Sequence, residues 1–183
     1  MHDQEELITG CCKGDGHMQR LLYERYSKQM LVVCMRYSKM QQEAEDILQE
    51  AFVKVFDNIK KFRKDSTLGY WIKKIVINTA LNHQRKKMYL YPMVDVQDIP
   101  LHESPEISLS QFHLQDLLKM IQELPSGCQV VFNLYAIEGY KHHEIAELLN
   151  ISEGTSKSQY ARAKALLKEK LLKAERLTYG KFK

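Results

Sequence analysis

Residues 140–164 read Tyr-Lys-His-His-Glu-Ile-Ala-Glu-Leu-Leu-Asn-Ile-Ser-Glu-Gly-Thr-Ser-Lys-Ser-Gln-Tyr-Ala-Arg-Ala-Lys. The spacing predicts a helix from Lys141 to Leu149 that packs through Ile145, Ala146 and Leu149. Ala146 is small, so a second helix can approach closely. After Asn150-Ile151, Ser152 is a natural N-cap, because its hydroxyl can accept a free amide of the next turn. That next helix is long and reaches about Leu172. It opens on Ser152, Gly154, Thr155, Ser156 and Ser158, which let a helix N-terminus come near a phosphate backbone attracted by its free amides and dipole. Lys157, Gln159, Arg162 and Lys164 follow, with the length to reach base edges in a major groove. A charge run alone usually means a solvated face. Turn, cap and basic helix in this order favour a helix-turn-helix that binds DNA.

Outward from this motif, a helix near Gln111–Leu124 is expected to end before Pro125, and another over Gly127–Ile137 to stop at Gly139. Beyond the motif, residues 157–183 hold nine basic side chains against Glu169 and Glu175, a natural supply of phosphate contacts. Upstream, residues 89–110 contain Pro92, Pro100 and Pro105 and carry a charge of −4 without a Lys or Arg. Proline disfavours helix at itself and at the preceding residue, so this stretch reads as a linker. It separates residues 1–88, net +5, from residues 111–183, net +3. The total of +4 is too small to establish a nucleic-acid partner, but two basic units on an acidic tether is an organisation that needs a reason.

The N-terminal unit is also helical. Ala44, Ile47, Leu48, Ala51, Phe52, Val55, Phe56 and Ile59 form one apolar stripe, opposite Glu43, Asp46, Gln49, Glu50, Lys54 and Asp57. Leu22, Tyr26, Met30, Val33 and Tyr37 form a second stripe, and Leu68, Ile72, Ile75 and Thr79 a third. A weaker helix over Gln4–Lys13 ends at Gly14. Short loops between antiparallel helices would bury these stripes together. The expected architecture is all-α, with two small helical domains.

From Lys54 to Lys87 there are ten basic groups against Asp57 and Asp65, interleaved with Phe62, Tyr70 and Trp71. Cations for a backbone and aromatic groups for unstacked bases suit single-stranded DNA. Core packing is the expected main role of Trp71.

Several classes are disfavoured. The 183 residues are 44% apolar and 27% charged, an ordinary globular balance, and no apolar run approaches the length of a membrane span. Met1–Glu6 carries three acids and no Lys or Arg, unlike a secretory signal, so a cytoplasmic location is expected. Cys11, Cys12, Cys34 and Cys128 form no CxxC pair and read as small apolar groups. His142, His143, Glu144 and Glu147 lack the second histidine of His-Glu-x-x-His. No Gly-rich phosphate loop or nucleophile elbow is present. The chain is expected not to be an enzyme and to need no metal or cofactor.

Leu124-Pro125, Glu138-Gly139, Glu144-Ile145-Ala146-Glu147, Ser152-Glu153-Gly154-Thr155-Ser156-Lys157-Ser158 and Arg162-Ala163 resemble region 4 of bacterial RNA polymerase sigma factors of the extracytoplasmic-function (ECF) type. Ser156 departs from the usual Val, and Gln159 stands where Arg is common. In the other half, Ala44-Glu45-Asp46-Ile47-Leu48-Gln49-Glu50-Ala51-Phe52 is similar to the family's polymerase-binding helix. The stretch from Phe62-Arg63 through Tyr70-Trp71-Ile72 to Ile77-Asn78-Thr79-Ala80-Leu81-Asn82 resembles its promoter-melting region.

The resemblance implies region 2 over 1–88, a linker over 89–110 and region 4 over 111–183. It implies core RNA polymerase as partner, through the β′ clamp helices and the β flap, with Asp46, Gln49 and Glu50 facing β′. It implies promoter DNA as the other partner. Region 4 would read the minus-35 element with Thr155, Lys157, Ser158, Gln159, Ala161, Arg162 and Lys164. Region 2 would capture a base flipped from the minus-ten non-template strand with Phe62, Arg63, Lys64, Asp65, Ser66, Lys74 and Asn78, the last at the floor of the loop Phe62–Leu68. The linker would run through polymerase channels, although a flexible tether explains its sequence equally well. An anti-sigma factor is a further partner the family admits and no residue here specifies. A repressor with a helical sensing domain and a sigma-sequestering module are the rival readings, and the basic recognition helix argues against the second.

Overall fold

In the computed structural model, residues 4–90 and 113–179 are described, with side chains described over 4–85 and 113–175. The chain divides into two compact units, with the break between Gln84 and Arg85. Among the described residues, the regular structure is helical throughout. Most of the expected linker, and the expected helix start at Gln111, lie outside the described residues. Tyr89 and Leu90, at its start, are helical.

The first unit holds α1 (Gln4–Cys12), α2 (Gly16–Tyr37), α3 (Gln41–Asn58), a short 3-10 turn (Ile59–Lys61) and α4 (Leu68–Leu90) as far as Gln84, the break falling within that helix. Gly14 takes φ +78°, a left-handed backbone that glycine adopts without strain, and so ends α1. Asp15 then caps α2, its Oδ1 accepting from the amides of His17 (2.9 Å) and Met18 (3.3 Å). A Cβ at Gly10 would stand 2.3 Å from Met18 Cγ, so glycine permits the close approach of α1 to α2.

The α3 stripe is buried as expected from Ala44 to Val55 and at Ile59, while Phe56 is half-buried. From α2, Leu22, Met30, Val33, Cys34 and Tyr37 enter the same core, and Tyr23 meets Phe52 edge-on at 4.7 Å. On α4 the expected stripe is buried at Leu68, Ile72 and Thr79, and the buried face is wider than expected. Leu68, Ile72, Val76, Ile77, Ala80 and Leu81 are buried, and Ile75 only half-buried. Each large apolar side chain buried in this way stabilises the unit by about 1.5–3 kcal/mol.

The second unit holds α5 (Leu114–Gln122), α6 (Ser126–Phe132), a π-helical turn (Asn133–Ile137), α7 (His142–Leu149) and α8 (Glu153–Tyr179). The expected single helix over Gly127–Ile137 widens after Phe132 into that π turn, where the Glu138 amide bonds Asn133 O (3.0 Å) and the Tyr140 amide bonds Leu134 O (2.9 Å). Gly139, at φ +80°, closes it. Helix α8 extends past the expected end at Leu172 to Tyr179. Leu124, Cys128, Val130, Val131, Leu134, Ile145, Leu149 and Ala163 make the core, with Phe132, Leu166 and Leu167 packed on its edge. Lys170 of α8 reaches Glu123 at 2.5 Å.

All four cysteines are free thiols, and Cys11, Cys34 and Cys128 are buried. Burial pushes Cys11 up to about 11 and Cys34 up to about 12, so neither ionises readily. Among the described residues, no helix is long and apolar enough to cross a membrane, and no group of His, Cys, Asp and Glu could hold a metal ion.

Candidate nucleic-acid interface

The turn between α7 and α8 is built by its backbone. Asn150 sits in the left-handed region (φ 55°, ψ 51°), and its amide and that of Ile151 bond back to Glu147 O (3.4 Å) and Ala146 O (3.1 Å). This double closure satisfies carbonyls that the end of α7 leaves open. Ser152 caps α8 as expected, its Oγ accepting from the Thr155 amide at 2.9 Å. At the other end of α7, Glu144 Oε2 accepts from the Lys141 amide at 2.7 Å.

Helix α8 divides its residues between two faces. Lys157 and Lys164 are exposed, and Thr155, Ser158, Ala161 and Arg162 are partly exposed. Lys157 is paired with Glu153 at 2.7 Å, and Lys164 Nζ lies 4.9 Å above the Tyr160 ring. Ser156, Gln159 and Ala163 share the inward face by their spacing of three and four residues. Gln159 is only 4% exposed, and its Oε1 accepts from Cys128 Sγ at 3.0 Å. This corrects the expectation that Gln159 reaches base edges: it belongs to the packing of α8 on α6.

The other departure, Ser156, is fully buried, and its Oγ lies 2.9 Å from His142 Nδ1. The His142 ring stacks on Tyr135 (4.2 Å, 14°), and Tyr135 meets Tyr160 (4.5 Å), which lies 6.3 Å from Phe132. Burial first, then the charge of Lys157, lowers the His142 pKa, with Glu153 opposing. Burial, with Tyr135 beside it, raises that of Tyr160. The sequence reading missed this ring cluster. Its one signal was the hydroxyl of Ser156 at a position where the family has an apolar side chain.

In the first unit, Phe62 packs on Trp71 at 5.4 Å, and Arg63, Lys64, Asp65 and Ser66 are exposed. Lys64 takes φ 62°, unusual for a residue with a Cβ, and its ammonium bonds Glu5 of α1 at 2.6 Å. Thr67 starts α4, its Oγ1 accepting from the Tyr70 amide at 3.3 Å and its carbonyl from Trp71 at 3.1 Å. Tyr70, Lys74 and Asn78 are exposed at steps of four residues, with Lys74 Nζ 5.6 Å from the Tyr70 ring centre. Asn78 lies two turns beyond Trp71 on the same side of α4.

On α3, Asp46 and Gln49 are exposed. Val53, one turn beyond Gln49, is 60% exposed and was not singled out from the sequence. Glu50 is different. It bonds Lys54 (2.6 Å) and His83 of α4 (2.6 Å), and Lys54 also reaches Thr79 (3.4 Å). The Lys54 bond first, and then the His83 bond, hold the Glu50 carboxyl down to about 2.

The models of two families match this chain: the one described as Sigma-70 region 2 over residues 22–88, and the one described as Sigma-70, region 4 over residues 114–167. The RNA polymerase sigma-H factor of Pseudomonas aeruginosa is 29% identical over 179 residues, covering 91% of this chain and 93% of that protein. The ECF RNA polymerase sigma-E factor of Escherichia coli is 28% identical over 177 residues, covering 90% and 92%. The solved sigma factor RpoE of Bartonella quintana, in complex with the anti-sigma factor NepR, superposes with a TM-score of 0.52 at 22% identity, covering 86% of this chain and 98% of that one.

Proposed function

Because this chain belongs to the ECF type of the sigma-70 family, whose members direct transcription initiation and are not enzymes, we propose that its two units divide promoter recognition between them. The region 4 unit reads duplex DNA at the minus-35 element, with α8 in the major groove. The observation that carries this is the outward face of α8: Thr155, Lys157, Ser158, Ala161, Arg162 and Lys164 project to solvent directly after the Asn150 turn and the Ser152 cap. Lys157 and Lys164 have the reach and charge for phosphate or base edges, and Arg162 for a bidentate guanine contact. Gln159 has no part in reading.

The region 2 unit binds the melted non-template strand of the minus-ten element. The exposed loop Arg63–Ser66 and the line Tyr70, Lys74, Asn78 supply cations, one ring and one amide along a single surface. A flipped base costs a few kcal/mol in lost stacking, which such contacts offset. Asp46 and Gln49, with Val53 beside them, form the surface of α3 for core polymerase, and Glu50 holds α3 to α4 behind it. The region 2 unit covers residues 1–88 and the region 4 unit residues 111–183, with 89–110 as tether. An anti-sigma factor, the kind of partner seen with the Bartonella relative, would act by covering these faces.

Two templates separate the assignments. On a duplex promoter with both elements, Arg162→Ala and Asn78→Ala each lower open-complex formation by holoenzyme. On a fork template, already melted at minus-ten and cut short of minus-35, Arg162→Ala is silent and Asn78→Ala is not. Equal losses on both templates would contradict the division of labour.

A further inference from the structure

Ser156 places a hydroxyl in the core between α7 and α8, with its side chain fully buried. A buried hydroxyl without a partner is costly, so this position is tolerable only where a partner is supplied. His142 supplies it from the first turn of α7, 2.9 Å away and fourteen residues distant in sequence. The imidazole is fixed in turn. One face lies parallel to Tyr135 at 4.2 Å, and Tyr160 of α8 approaches at 5.9 Å. One side chain therefore touches the π turn and two successive turns of α8. Ser156 stands between Thr155 and Lys157, and Tyr160 carries the Lys164 ammonium above its ring.

From this arrangement we infer that His142 is a positioning residue for promoter reading. Its bond to Ser156 and its stack on Tyr135 set how α8 is rolled and seated in the helix-turn-helix, and so where Thr155, Lys157 and Arg162 project. The inference rests on the reading of α8 as the element that enters the major groove. A Val at position 156 would hold the helices together by contact alone, without direction. A hydrogen bond adds an angular constraint, because it weakens steeply as its geometry departs from linear. His142 itself need not touch DNA for this to hold.

The test uses full-length protein in holoenzyme, on a duplex promoter that requires minus-35 and on the fork template lacking it. His142→Ala lowers initiation on the duplex by roughly threefold to tenfold, the scale of one buried hydrogen bond. It leaves the fork template unchanged. His142→Asn, whose amide can replace the Nδ1 contact but not the stack on Tyr135, restores part of the loss. Ser156→Val keeps the packing without the bond, so the test stands even if His142→Ala folds poorly: it lowers duplex initiation threefold or more while the melting temperature stays within a few degrees. Equal losses on both templates, no rescue by His142→Asn, or an unaffected Ser156→Val would overturn the inference. Arg162→Ala run in parallel separates the two readings. If it is also silent on the duplex, the assignment of α8 fails and the inference falls with it. If it is deleterious while the His142 and Ser156 variants are not, only the inference fails.

Discussion

Glu50 Oε2 lies 2.6 Å from His83 Nε2, joining α3 to α4 across 33 residues of sequence. The same carboxylate holds Lys54 at 2.6 Å. We expect Glu50→Ala to destabilise the region 2 unit by about 1–2 kcal/mol, because a charge-assisted contact is lost at a half-exposed site. Asp46→Ala and Gln49→Ala leave stability within about 0.5 kcal/mol, as exposed positions do, and weaken polymerase binding instead. Chemical denaturation beside a core-polymerase binding assay reads both.

The same carboxylate predicts a pH dependence. Its folded-state pKa, about 2, is below its ordinary value of 4.5. The folded protein thus binds this proton more weakly than the unfolded chain. The stabilisation is fully present above about pH 4.5 and is lost as pH falls toward 2. Glu50→Gln removes this part of the slope of stability against pH in that window. An unchanged slope would show that the contact does not persist in solution.

Gln159→Ala is expected to alter stability rather than promoter choice. Its side chain is buried and bonded to Cys128, so truncation leaves a cavity and removes that bond, at a cost of about 1–3 kcal/mol. Start-site profiles of the variant holoenzyme match the parent once protein folding is equalised. A changed promoter preference would show that Gln159 reaches DNA.

Asn150 holds the turn in a left-handed conformation. Asn150→Ala is predicted to cost about 1 kcal/mol, and Asn150→Gly to be neutral or stabilising, because only glycine avoids the Cβ clash there altogether. Thermal melting of the two variants decides between this and a turn whose geometry relaxes freely.

Most of the architecture was legible in the sequence because the helices bury apolar stripes of strict period. The α3 stripe from Ala44 to Val55 and the Ser152 cap are examples. What was not legible involved polar residues doing core work. Ser156 and Gln159 looked like surface groups on a basic helix, yet spacing from Ala163 puts both inside. The π turn over Asn133–Ile137 was hidden because its apolar residues continue the pattern of α6. The bond of Glu50 to His83 was not foreseen, because His83, distant in the chain, gives no local sign of approaching it. The stack of His142 on Tyr135 depends on the π turn, and no helical period forecasts it.

Run-off transcription with bacterial core polymerase, with and without this protein, on pooled promoters from its own source, tests the central claim most directly. The account predicts discrete new start sites that depend on the protein and disappear with Arg162→Ala. Tight binding to duplex DNA with no stimulation of core polymerase and no association with it would contradict the account and favour a helical repressor.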